Sequence, residues 1–334
     1  CHSVSLFHDE AAWRREGDRY RAGAELAATQ RLVRHPLRAG DPGLDVLLER
    51  DPDFLAGRMW SDGQVRVTGR EYSGLVESAC FAGGGLSCLN CHQMHGAPAD
   101  DQLAPGKGGD AACAGCHAAQ VGPGHSHHTP AAAGCMDCHM PHTTYGLLGA
   151  MRSHTIDSPS LEVTLTTGRP DACSLCHIDR PLAWTAEQLA RWYGHERPPL
   201  DAAQAEVSAV ALWALRGDAG QRALAAWHLA WGPAQAVGGS DWQAAILAEL
   251  LLDPYAAVRH VAARALRRLP GLAGVEIDAE ASAEARAGMR AAVIAATPRV
   301  AADRSRLRGV DGPERASIAK LRGQRDERPV DLRE

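Results

Sequence analysis

The chain has 334 residues, and its 35 Lys+Arg against 40 Asp+Glu leave a formal net charge of −5; that mild acidity argues against a nucleic-acid binder. Apolar residues reach 45%, which excludes a disordered tail, and the uncharged apolar runs fall well short of the roughly 18 residues needed to span a bilayer. Aromatic residues are only 5% while Cys number 10 and His 16, the inverse of what an ordinary packed core requires, so something other than side chains is expected to fill part of the interior.

Residues 1–79 read as an N-terminal segment that opens on Cys1-His2 rather than on Met. Two explanations stand side by side: the last two residues of a Cys-x-x-Cys-His unit belonging to a longer protein, which is preferred, or a processed lipoprotein whose Cys1 carries lipid. Further on, the alternation around Val65 and Val67 predicts a short hairpin within 64–76.

Residues 80–180 hold the chemistry. Gly83-Gly84-Gly85, the Pro105–Gly109 stretch and Gly122-Pro123-Gly124 cut the segment into pieces too short for an ordinary helix or sheet. Between them Cys-x-x-Cys-His occurs four times: Cys88, Cys91, His92; Cys113, Cys116, His117; Cys135, Cys138, His139; and Cys173, Cys176, His177. This is the attachment pattern for haem c. Residues i, i+3 and i+4 share one face of a helical turn, so two thiols reach the haem vinyl groups while the imidazole meets the iron. Structural zinc is the rival, since paired Cys-x-x-Cys units also describe zinc ribbons, but zinc has no need of a His after every second cysteine. Four haem c groups, or five with Cys1 and His2, would supply the apolar mass that the aromatics do not.

Haem iron held by one His has a sixth position, and its occupant separates carriers from catalysts. The expected distal ligands are His95, His142, His154 and one of His125, His127 and His128, with His128 preferred; His8 and His35 are further spare histidines. Met94, Met136, Met140 and Met151 read as packing residues before thioether ligands, and Cys80 as a small buried hydrophobe.

Residues 181–298 change to Ala/Leu-rich helical periodicity. Helices are predicted from Thr185, with Gln188 completing a capping box, over Asp201–Leu215 up to Gly217, from Asp218 to Gly232-Pro233, over Asp241–Leu252, and from Asp253-Pro254 onward. This stretch looks like stacked HEAT-type helix pairs over residues 200–270. His195, His228 and His260 are read as surface or core histidines. Residues 299–334, rich in Arg among Asp and Glu, read as a charged tail. The predicted fold class is therefore mainly α with much irregular structure, a multihaem wrap followed by an α-helical repeat domain.

The wording of Glu77–Phe81, Leu86–His95, Cys138–Leu148 and Arg152-Ser153-His154 resembles multihaem c-type cytochromes with doubled Cys-x-x-Cys-His motifs, of the kind found beside nitrite and hydroxylamine metabolism. The resemblance implies an electron carrier with bis-histidine haems at the quoted motifs, redox partners such as other cytochromes or quinol oxidoreductases, and a periplasmic or other extracytoplasmic bacterial location. A redox enzyme acting on small nitrogen compounds at one open haem is the alternative. The Cys-x-x-Cys-Lys motif of ammonia-forming nitrite reductases does not occur in the chain. A docking role for the helical repeats is compatible with the carrier. No nucleic-acid partner is expected, and membrane association only through an N-terminal anchor or lipid.

Overall fold

The computed structural model describes residues 2–21, 23–36, 43–93, 96, 102–129, 131–297, 313–330 and 332, the side chains of 313–317 excepted. Among these the chain is mainly helical, with eighteen α-helices, three short 3-10 helices and four strands of three residues each. Strands β1 (Ser5–Phe7) and β2 (Gln30–Leu32) pair antiparallel, as do β3 (Thr144–Gly146) and β4 (Gly149–Met151). The hairpin expected within 64–76 does not form. Val65 instead bridges Met59, Val67 bridges Tyr145 of β3, and Glu71–Leu75 is a short helix.

Burial divides the molecule sharply. One continuous hydrophobic core runs from Trp60 and Tyr145 through Leu161, Leu175 and Ile178 into the C-terminal helices. No described residue between 79 and 140 is buried. Ordering a residue costs about 1–2 kcal/mol of backbone entropy, and the described residues of this stretch, at most half-buried, offset it less than the helices that follow.

The C-terminal helices follow from their caps. Asp218 opens Ala219–His228 with a full capping box, its carboxylate accepting from the Gln221 amide, and Asp201 does the same for Ala202–Glu206 with Gln204. The single helix expected over 201–215 is two, because the Ser208 hydroxyl caps a new start at Ala209–Arg216. The helix expected from Thr185 begins earlier, as Leu182–Tyr193, and Thr185 lies inside it with its hydroxyl 3.1 Å from that of Ser174. Gln243–Leu250 and Ala256–Leu266 follow, the latter starting after Tyr255, whose amide donates to the Asp253 carboxylate at 3.0 Å. Asp253 also forms a wholly buried pair with Arg222 at 2.7 Å. A buried guanidinium persists only when paired and hydrogen-bonded, and Arg222 also donates to the Gly217 carbonyl.

Ala209–Arg216 packs on Ala219–His228, and Gln243–Leu250 on Ala256–Leu266; across the pairs, first helix meets first and second meets second. The end of the chain returns to this core. Val330 and Leu332 are buried in it, the Asp326 amide donates to the Arg216 carbonyl at 2.8 Å, and Arg322 pairs with Glu249 at 2.7 Å. Residues 298–312 of the expected tail lie outside the described residues. The buried contact of Arg66 with Asp218 at 2.6 Å and the packing of Trp227 and Arg264 against the β3–β4 turn join the helices to the earlier part of the chain.

Candidate functional site

All four motifs lie on single helical turns. Cys88–Asn90 is a 3-10 turn closed by the His92 amide donating to the Cys88 carbonyl at 2.8 Å. The second motif sits within Ala111–His117 and the third is the helix Cys135–His139 itself. The fourth begins in Ala172–Cys176, capped by Asp171, and its His177 amide donates to the Cys173 carbonyl at 2.8 Å. The i to i+4 bond that closes each turn holds the second thiol and the imidazole on the face of the first thiol.

The motifs neighbour one another in chain order. Cys113 carries the electrostatic influence of Cys91 and a hydrogen bond with Cys135, and Cys138 lies within electrostatic reach of Cys173 and Cys176. The Cys135–His139 helix packs on Ala172–Cys176. Arg152 braces the third motif, donating to the Met136 and Met140 carbonyls and pairing with Asp137 at 2.8 Å.

The nine described cysteines are all free thiols. Burial, aided by Asp110, pushes the Cys135 thiol up to about 12; burial, aided by Asp137, pushes Cys138 up to about 11, and Cys173 is raised by burial and by Asp171. The Cys-Cys-His set on each helical turn, with its free thiol pair, fits covalent haem.

Histidine rings surround the motifs in pairs. His92 and His154 have centroids 6.2 Å apart with planes within 22°, His125 and His139 are 6.0 Å apart within 7°, and His128 and His177 are 6.0 Å apart at 44°. The Nδ1 atoms of His154, His139 and His128 face the carbonyls of Arg152, Asp157 and Ser126 at 3.1, 3.0 and 2.6 Å. Burial lowers His154, and it takes His177 down to about 4, with His128 adding to the effect.

Other candidates fall elsewhere. His142, expected as a distal ligand, is half-buried beside Trp227 at 5.1 Å, Trp231 at 5.2 Å and His228 at 6.1 Å. His127 stacks on Trp192 at 4.8 Å, and the His8 ring bonds the Ala27 carbonyl. Cys80 is half-buried on the Ala79–Gly84 helix. His2 holds Glu71 through Nδ1 at 2.7 Å. Cys1 and His95 lie outside the described residues. Sequence reasoning preferred His128 over His125 and His127 and gave His228 no part, yet His228 is fully buried with its Nδ1 on the Leu224 carbonyl and its Nε2 unpartnered. No local signal distinguishes it from a core histidine.

Residues 79–122 match the family of the doubled CXXCH motif. The match spans the first two motifs and marks a haem c-binding, cytochrome-like segment. No curated protein and no solved structure matches the chain.

Proposed function

We propose that the chain is a multihaem c-type cytochrome that carries electrons, with one haem c at each of Cys88/Cys91/His92, Cys113/Cys116/His117, Cys135/Cys138/His139 and Cys173/Cys176/His177. The observation that carries this reading is that all four Cys-x-x-Cys-His motifs lie on single helical turns, with the third motif's helix packed on the fourth's. When bound, the groups supply one-electron chemistry at iron. The protein's own part is to attach, space and insulate. The motif turns present the thiols and imidazoles, the Gly-rich connections let the chain bend closely between them, and Arg152 and Asp157 hold the third motif in place.

The C-terminal helices support a second element of the reading. Their first-on-first and second-on-second packing is that of HEAT-type pairs, and we take them as the docking face for a redox partner, another cytochrome or a quinol oxidoreductase. They are also a wall of the motif segment, since Leu175 and Ile178 belong to their core. Thiol attachment of haem belongs outside the cytoplasm, which puts the protein in the bacterial periplasm or beyond. No helix among the described residues is long and apolar enough to cross a membrane.

The test is a haem count and spin-state analysis of the full chain matured in a host with c-type attachment machinery. Four covalent haems per chain, low-spin and reversibly reduced, are expected from this sequence. Colourless protein, or protein carrying zinc, would overturn the reading, and a ligand-accessible high-spin fraction that turns over nitrite or hydroxylamine would replace the carrier with an enzyme.

A further inference from the structure

We infer that three of the motif imidazoles are completed by particular histidines: His154 opposite His92, His125 opposite His139, and His128 opposite His177. The inference rests on the haem reading proposed above and adds the identity of the second axial ligand at three sites.

The first argument is spacing. Two metal–nitrogen bonds of about 2 Å, with about 1 Å more from each nitrogen to its ring centre, place the centroids of two imidazoles on one metal about 6 Å apart. The three pairs lie at 6.2, 6.0 and 6.0 Å. Near-parallel rings in direct contact in this molecule are closer: Phe7 on Trp13 is at 4.7 Å and His127 on Trp192 at 4.8 Å. The His92–His154 and His125–His139 pairs are nearly parallel yet more than an ångström wider than these, and wider than Trp227 on Trp231 at 5.6 Å. The edge-on pair His142–His228 at 6.1 Å and 65° needs no such explanation, because T-shaped rings touch at that separation.

The second argument is the proton. A backbone carbonyl can only accept, so the rings of His154, His139 and His128 carry hydrogen on Nδ1 and a lone pair on Nε2. One member of every pair is thus fixed in the tautomer that ligates through Nε2, by the same kind of outer hydrogen bond that orients metal-bound histidines generally.

The third argument is chain geometry. His125 and His128 come from one turn, Pro123–Ser126 and its continuation, yet serve different motifs. His127 between them adopts the left-handed conformation, φ +55°, and stacks on Trp192, while the Tyr193 hydroxyl donates to the His125 carbonyl at 2.8 Å. The helix Leu182–Tyr193 therefore pins the middle of the turn and leaves its two ends to reach the third and fourth motifs separately.

The experiment replaces His125, His128, His154, His127 and His142 one at a time by Ala, and the first three also by Met, in the matured full chain, and reads haem count, electron paramagnetic resonance and magnetic circular dichroism. H125A, H128A and H154A should each keep the wild-type haem count, convert one low-spin centre to high-spin, and recover the low-spin signal with added imidazole. The Met variants should keep the centre six-coordinate and show a thioether-ligand signature, so a defect confined to Ala variants is separated from misfolding. H127A and H142A should leave the three assigned centres low-spin. Unaltered spectra in H125A, H128A or H154A, or no thioether signature in their Met counterparts, would overturn the pairing while leaving the haem reading intact. A wild-type protein without covalent haem would remove the haem reading itself, and the pairing with it.

Discussion

His228 shows how a single buried side chain couples stability to acidity. It has no solvent exposure, and burial, with His142 beside it, takes its pKa down to about 3 from an ordinary 6.5. The folded state thus resists a proton that the unfolded chain accepts. The stabilising contribution is complete above pH 6.5 and is lost as the pH falls from there toward 3, at up to about 1.4 kcal/mol per pH unit. His142, taken to about 3 by burial and the Arg152 charge, acts in the same direction. Thermal unfolding at a series of pH values should show the transition falling over this window, and H228L should flatten the dependence even if it alters the midpoint at pH 7. A slope unchanged by the substitution would show that other groups control it. The same scale marks where the sequence was legible. Each Cys-x-x-Cys-His could be recognised because its chemistry closes within five residues. His128 and His154 could be named among the spare histidines but not paired with a motif, because the imidazoles they face, His177 and His92, are 49 and 62 residues away along the chain.

At the scale of elements, the connection between β3 and β4 is unusual. Leu147 and Leu148 both have positive φ, +48° and +53°, as a two-residue hairpin turn of type I′ demands, a turn that normally takes Asn or Gly. Left-handed conformation costs a branched side chain roughly 1–2 kcal/mol. Leu148 is held by contact with the core and by Arg264 donating to its carbonyl, whereas Leu147 is 70% exposed. L147N should therefore raise stability by about 1 kcal/mol in chemical denaturation of the matured protein, with haem content unaltered; a loss of stability would show that Leu147 makes a compensating contact. Capping signals made the helices at Asp201 and Asp218 readable in advance. Thr185 misled because it carries a local capping pattern, but a tertiary partner, Ser174, claims the side chain. The β3–β4 hairpin had no turn residue to announce it.

On the scale of the whole molecule, stability is unevenly shared. The C-terminal helices and the segment from Tyr145 to Ile178 share one core, whereas residues 79–140 are at most half-buried at the described positions. Protein made without haem attachment should be cut by protease first within 79–140 and should leave a resistant fragment that includes Leu161–Leu266. The matured protein should lose that difference. Equal resistance of the two regions in the haem-free chain would mean that the motif segment holds itself together. The overall division was legible from where the cysteines stop. The core's reach across residue 180 was not, because Leu175 and Ile178 belong to a haem motif and its exit and contribute no helical periodicity.

The return of Val330 and Leu332 to the core, with Asp326 bonded to Arg216, also bears on how such a protein is made. Synthesis runs from the amino end, so the thiols between residues 88 and 176 exist before residues 326–332 do. The helical wall stays unlatched until those residues join it, an order of events that favours covalent loading before full compaction.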